Sequence, residues 1–181
     1  MSITEATEIV PAGTWTADLV HSSIGFSVTH MAVDTFTGSF RTFEARLSGD
    51  GEPKLTGSAR VESIVVPDET LTVHLLSPEF FDADRYPELR FASAGIHRDG
   101  TGVSVEGELT LKGVTRPVEL RGSITGPVTD PYGNERVGVD LQTTVDRTEF
   151  GLTWNAELPG GGRVLEDDVT LTARLALVKE Q

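Results

Sequence analysis

Four histidines, one arginine and two short polar runs are the residues here whose chemistry could go beyond packing. In "HSSIGFSVTH", His21 and His30 bracket a short apolar strand. Imidazoles so placed suggest a metal pair or a catalytic base. Side chains alternate between faces along a strand. Counting by twos from Ile24 through Phe26 and Val28 reaches His30, so His30 points inward with them. His21 is an odd number of residues away and falls on the other face. Zinc or iron needs three or four converging ligands, and His74 and His97 sit in unrelated contexts, so no metal is expected. His30 has two readings, a ring satisfied by neighbours within the wall or a polar contact for a ligand headgroup near a cavity mouth.

The other candidates are weaker. "PGGGR" (Pro159–Arg163) lacks the Lys-Ser/Thr and following helix of a phosphate loop, and reads as a hairpin loop. "EDD" (Glu166–Asp168) lacks the alternating ligand spacing of a calcium loop and reads as a solvated strand entrance. No Ser-His-Asp arrangement is supported by spacing. Arg147 in "RTEFG" reads as a structural ion-pair partner. Trp154 and Tyr132 fall in or near loops, where large rings either line a rim or pack.

These residues must be held by strands. "GVSVEGELTLKG" places Val103, Val105, Leu109 and Leu111 on one face, with Ser104, Glu106, Glu108 and Thr110 on the other, as in a half-buried antiparallel strand. "PVELRGSI" follows after the connection "GVTR", giving a hairpin. "RVGVDLQTTVDR" turns Val137, Val139, Leu141 and Val145 inward, and "DVTLTARLALV" does the same with Val169, Leu171, Ala173, Leu175 and Leu177. Upstream, Phe36 and Phe40 share a parity that switches at Phe43, Ala45 and Leu47, which predicts a bulge. "PDETLTVHLLSPEFFDADRYP" breaks the rhythm. Asp68 can cap a helix carrying Leu71, Leu75 and Leu76, and Ser77-Pro78 opens a further turn with Phe80 and Phe81.

Eight or so long strands with one apolar face each predict an all-β closed barrel with a helical insertion at about 69–85, a two-sheet sandwich being the alternative. At that strand number the interior is either filled or holds one small ligand. The insertion is then a lid over a cavity or a plug in a solid core, and patterning leaves both open. The chain is 181 residues with 38% hydrophobic and 24% charged residues, consistent with one folded domain at 13–179 behind a flexible segment at 1–12. It contains no cysteine, which removes disulfide, thiolate-zinc and thiol-nucleophile chemistry. A formal charge of −13 argues against nucleic acid and anionic membrane surfaces as partners. No apolar run is long enough for a membrane helix. No basic-then-apolar leader opens the chain, so the expectation is a cytoplasmic protein, or a secreted or periplasmic one if a leader precedes this start.

"VHSSIGFSVTHMAVDTFTGSF", "HLLSPEFFDADRYPELRFAS", "GELTLKGVTRPVEL", "DRTEFGL" and "VLEDDVTLTARL" resemble, in order and spacing, the YceI family, over about Trp15 to Val178. The resemblance implies an extended eight-stranded antiparallel lipocalin-like barrel. It also implies a container for a long amphipathic isoprenoid such as a polyprenyl quinone. Other members of that family hold fatty-acid-type ligands or sequester lipophilic antibiotics. The expected function is non-catalytic binding, sequestration or carriage of such a lipid, with no cofactor beyond the lipid itself. An enzyme acting on an isoprenoid or quinone, and a ligand-free interaction protein with a filled barrel, are the alternatives. The expected partner is the lipid, with a homodimer as the assembly to test. Parity and aromatic size nominate Phe26, Val28, His30, Phe36, Phe40, Leu71, Leu75, Phe80, Phe91, Leu109, Leu120, Leu141 and Phe150 as ligand-binding residues.

Overall fold

The period-two runs fold into eleven strands of a single antiparallel sheet, in a computed structural model that describes residues 8–181. In chain order these are β1 (Thr14–Ala17), β2 (Ser23–His30), β3 (Asp34–Phe40), β4 (Phe43–Ser48), β5 (Lys54–Arg60), β6 (Ile64–Val65), β7 (Glu88–Asp99), β8 (Gly102–Leu111), β9 (Val114–Thr129), β10 (Glu135–Asp146) and β11 (Leu165–Lys179). Three paths are interrupted: β1 continues into β2, β3 into β4, and β5 into β6 through a 3₁₀ turn at Val61–Ser63. Both β1 and β2 lie along β11, with Trp15 opposite Lys179 and Phe26 opposite Leu171. Counted as paths the strands number eight, each beside its chain neighbour and the last beside the first, so the barrel closes. Closure leaves no long unpaired edge for another chain to join.

The parity switch after Phe40 is the break between β3 and β4. Arg41 and Thr42 are both exposed there, which lets Phe40 and Phe43 both face inward. Ser63 braces the break, accepting from the Arg41 amide with its carbonyl at 3.0 Å and from the Thr42 amide with its hydroxyl at 3.0 Å. The β8–β9 hairpin is tighter than "GVTR" suggests. Lys112 and Gly113 form the whole loop, at φ 49° and 74°, and Val114 already faces Leu111 in register.

The insertion begins as a helix, α1 (Glu69–Leu76), capped by Asp68, whose carboxylate accepts from the Leu71 amide at 2.9 Å. After Ser77 the chain proceeds in turns, pinned back where the Phe81 amide donates to Leu75 O at 2.9 Å. Lys112 Nζ donates to Pro78 O at 3.0 Å, which places the insertion at the β8–β9 turn end of the barrel.

The far end is solid. Trp15, Leu47, Val105, Val137, Val139 and Leu177 are each no more than 2% exposed. Of the segment 1–12 expected to be flexible, residues 1–7 lie outside the described residues. The remainder packs at this solid end: Val10 is buried, and Trp15 Nε1 donates to Pro11 O at 3.1 Å. Among the described residues no helix is long and apolar enough to cross a membrane.

A candidate ligand cavity beneath the helical insertion

Toward the insertion, the inward faces of the strands stop meeting one another and surround a cavity of ≈ 340 Å³. Of the thirteen nominated residues, twelve line it: Phe26, Val28, His30, Phe36, Phe40, Leu71, Leu75, Phe80, Phe91, Leu109, Leu120 and Leu141. Their placement follows from register. Val28 faces Phe36 across β2–β3, and Phe91 faces Leu109 across β7–β8, so inward parity on one strand fixes it on the next. Ring contacts connect the wall, with Phe26 6.1 Å from Phe36 and 6.0 Å from Phe40, and Phe40 edge-on to Phe81 at 6.0 Å.

Phe150 is the exception. It is 1% exposed and does not reach the cavity. β10 ends at Asp146, and the chain turns through a 3₁₀ segment at Arg147–Phe150, where counting by twos no longer reports orientation.

Polar groups occupy the open end. His30 lines the cavity with its Nδ1 3.0 Å from Asp34 Oδ1, and its side chain stays one-third exposed. It is a part-exposed group at the rim whose ring nitrogen meets a carboxylate. His74, on α1, lies 2.6 Å from Glu79 through Nε2 and stands edge-on to Phe80 at 4.9 Å and Trp154 at 5.0 Å. His21 is elsewhere, its Nδ1 2.7 Å from Asp18. Among the described residues no group of three or more His, Asp or Glu side chains is arranged to hold a metal ion.

Arg147 closes the wall near the mouth. It is buried, and donates from Nε to Glu166 O at 2.9 Å and from Nη1 to Leu152 O at 2.6 Å and Trp154 O at 2.9 Å. Its Nη2 makes no hydrogen bond and lies 3.8 Å from Asp167. Burial lowers its pKa from the usual arginine value, and the Asp167 charge opposes that shift. Arg147 therefore bolts the Leu152–Trp154 segment and the start of β11 to the end of β10, beyond the single ion pair expected of it.

A YceI-like domain profile matches residues 15–177. The chain belongs to the YceI-like family. Its relatives include the UPF0312 protein of Photorhabdus laumondii, 30% identical over 134 residues, covering 72% of this chain and 70% of that one. The UPF0312 protein of Pectobacterium atrosepticum is also 30% identical, covering 74% and 71%. Among solved structures, Burkholderia cenocepacia BcnA superposes with a TM-score of 0.75 at 21% identity, covering 88% of this chain and 98% of that one. A polyisoprenoid binding domain from Saccharophagus degradans, implicated in plant cell wall breakdown, superposes at 0.64 with 13% identity, covering 94% and 100%.

Several lining residues of this YceI-like barrel were missed among the nominated positions. Val169, Leu171, Ala173 and Leu175 form the inward face of β11 and line the cavity. Their alternation is readable in "DVTLTARLALV", but alternation alone does not say which inward residues of a strand border open space. His74 sits three residues after Leu71 on α1, a helical spacing that puts both over the opening. Trp154 lines the mouth from a loop, where no periodicity exists to signal it. Tyr132, the other loop aromatic, is 89% exposed.

Proposed function

We propose that this YceI-like barrel binds one amphipathic lipid, an isoprenoid, isoprenoid quinone or similar chain, and sequesters or carries it without chemical change. The carrying observation is the contrast between the two halves of one barrel. Inward side chains of the solid half are nearly inaccessible, whereas the inward Phe26, Phe36, Phe91, Leu120 and Leu171 keep accessible surface along an apolar cavity. Apolar groups held apart in this way forgo contacts that a chain-shaped ligand would supply. A chain burying ~400 Å² at ~25 cal/mol per Å² gains roughly 10 kcal/mol before the entropy costs of binding, enough without special polar chemistry. The rim pairs His30–Asp34 and His74–Glu79 supply hydrogen-bonding groups for a polar end. The structural likeness to a polyisoprenoid binding domain supports the isoprenoid class.

The test is mass spectrometry of freshly purified protein, intact under native conditions and again after organic extraction. A stoichiometric adduct that resolves as an isoprenoid or acyl compound is the expected result. A clean protein mass, followed by failure of a panel of quinones, prenols and fatty acids to bind, would overturn the proposal.

A further inference from the structure

The cavity has a floor, and the floor sets how much chain it can enclose. From β10 into the 3₁₀ turn that follows it the lining runs from Leu141 to Arg147, and on β2 from Ile24 to His30. Below Leu141 the next inward residues, Val139 and Val137, are no more than 2% exposed and lie outside the cavity, and so do Leu177 on β11, Leu47 on β4 and Trp15 on β1. The strands continue past this level, so the inner space ends because side chains fill it, not because the barrel ends.

The six intervals from Ile24 to His30 on β2, at ~3.3 Å each on a strand tilted by about 40°, give a depth of roughly 15 Å. An extended carbon chain with bonds of ~1.5 Å at ~111° advances about 1.25 Å per carbon, so that depth holds about twelve carbons.

We infer that this barrel is a chain-length ruler: it encloses a single apolar chain of about a dozen carbons, or about three isoprene units, with Leu141 and Leu175 as the stop. A longer tail leaves its remainder outside the mouth. This inference rests on the container reading above and specifies its cargo.

The experiment is a ladder of saturated fatty acids from about eight to about twenty carbons, with a parallel ladder of prenyl alcohols, each titrated calorimetrically against the intact protein. At about 0.8 kcal/mol per buried methylene, affinity should rise about fourfold per added carbon up to the limit and then level off. In Leu141→Ala the plateau should move to longer chains, and the ladder on the unaltered protein decides the matter even if that variant does not fold. A fourfold rise persisting through the longest members would overturn the ruler and leave the container standing. Binding of no member of either ladder would overturn both.

Discussion

Asp18, Arg136 and Asp130 form a charged chain at the solid end of the barrel. Arg136 donates from Nη1 to Asp18 at 2.9 Å and from Nε to Asp130 at 2.7 Å. Hydrogen bonds from His21 and then Arg136 hold the Asp18 carboxyl well below the usual carboxylate range. Asp130 is held at about 2, chiefly by Arg136 and then by the Asn134 amide. Both folded-state values lie below the ~3.9 of an unfolded aspartate, so the network's stabilisation is complete above about pH 4 and is lost as pH falls through the folded values. Arg136→Met is therefore expected to raise the acid-unfolding midpoint followed by circular dichroism, and an unchanged midpoint would remove the network from the account. At the cavity, Phe26→Glu should separate binding from stability. The carboxylate sits in open space in the empty protein and is desolvated only when a chain enters, so affinity for an apolar ligand should drop at least about tenfold. Arg147→Met strands three carbonyls, one of them buried and two partly buried, and urea denaturation should show a loss of about 3 kcal/mol.

Among the elements, α1 is the one whose stability bears on ligand exchange. It is eight residues long, too short to persist alone, and its cap at Asp68 and its packed Leu71 and Leu75 hold it over the opening. Asp68→Ala should cost about 1 kcal/mol locally and speed ligand release roughly fivefold, with little change in the midpoint of global unfolding. Stopped-flow displacement of a bound fluorescent fatty acid would read that rate. The β8–β9 turn holds the same insertion through Lys112. Its Gly113 has φ 74°, and an added Cβ would lie 2.6 Å from the Tyr86 ring, so any side chain there strains the backbone and pushes on the insertion at once.

The whole molecule divides its closed barrel between two tasks. One end is a conventional packed core, including the broad contact of Trp15 and the returning segment at Val10. The other end gives up packing for space, and a ligand filling that space binds the folded state alone. At a free concentration ~100 times its Kd, such a ligand should add about 2.7 kcal/mol of stability, visible as a rise of several degrees in Tm. A lipid that binds tightly by calorimetry yet leaves Tm unchanged would have to bind the unfolded chain as well as the folded one.

Much of this architecture was legible before the fold was known. The inward faces of β8 to β11, the break after Phe40 and the Asp68-capped helix all follow from local rules, namely a side-chain period of two in strands, an extra residue at a bulge and an orphan amide at a helix start. Those rules hold over a few residues and need no knowledge of what lies opposite. Phe150 and Trp154 escaped because each lies where the period has stopped. The placement of the hollow escaped for a deeper reason. Along β10 the inward series Val137, Val139, Leu141, Thr143 and Val145 continues without interruption from the solid end into the cavity wall. Alternation states which way a side chain faces. Whether it then meets another side chain or empty space depends on residues contributed across the barrel by the other strands, and on the helix laid over the end, so only the closed tertiary structure decided where a ligand has room.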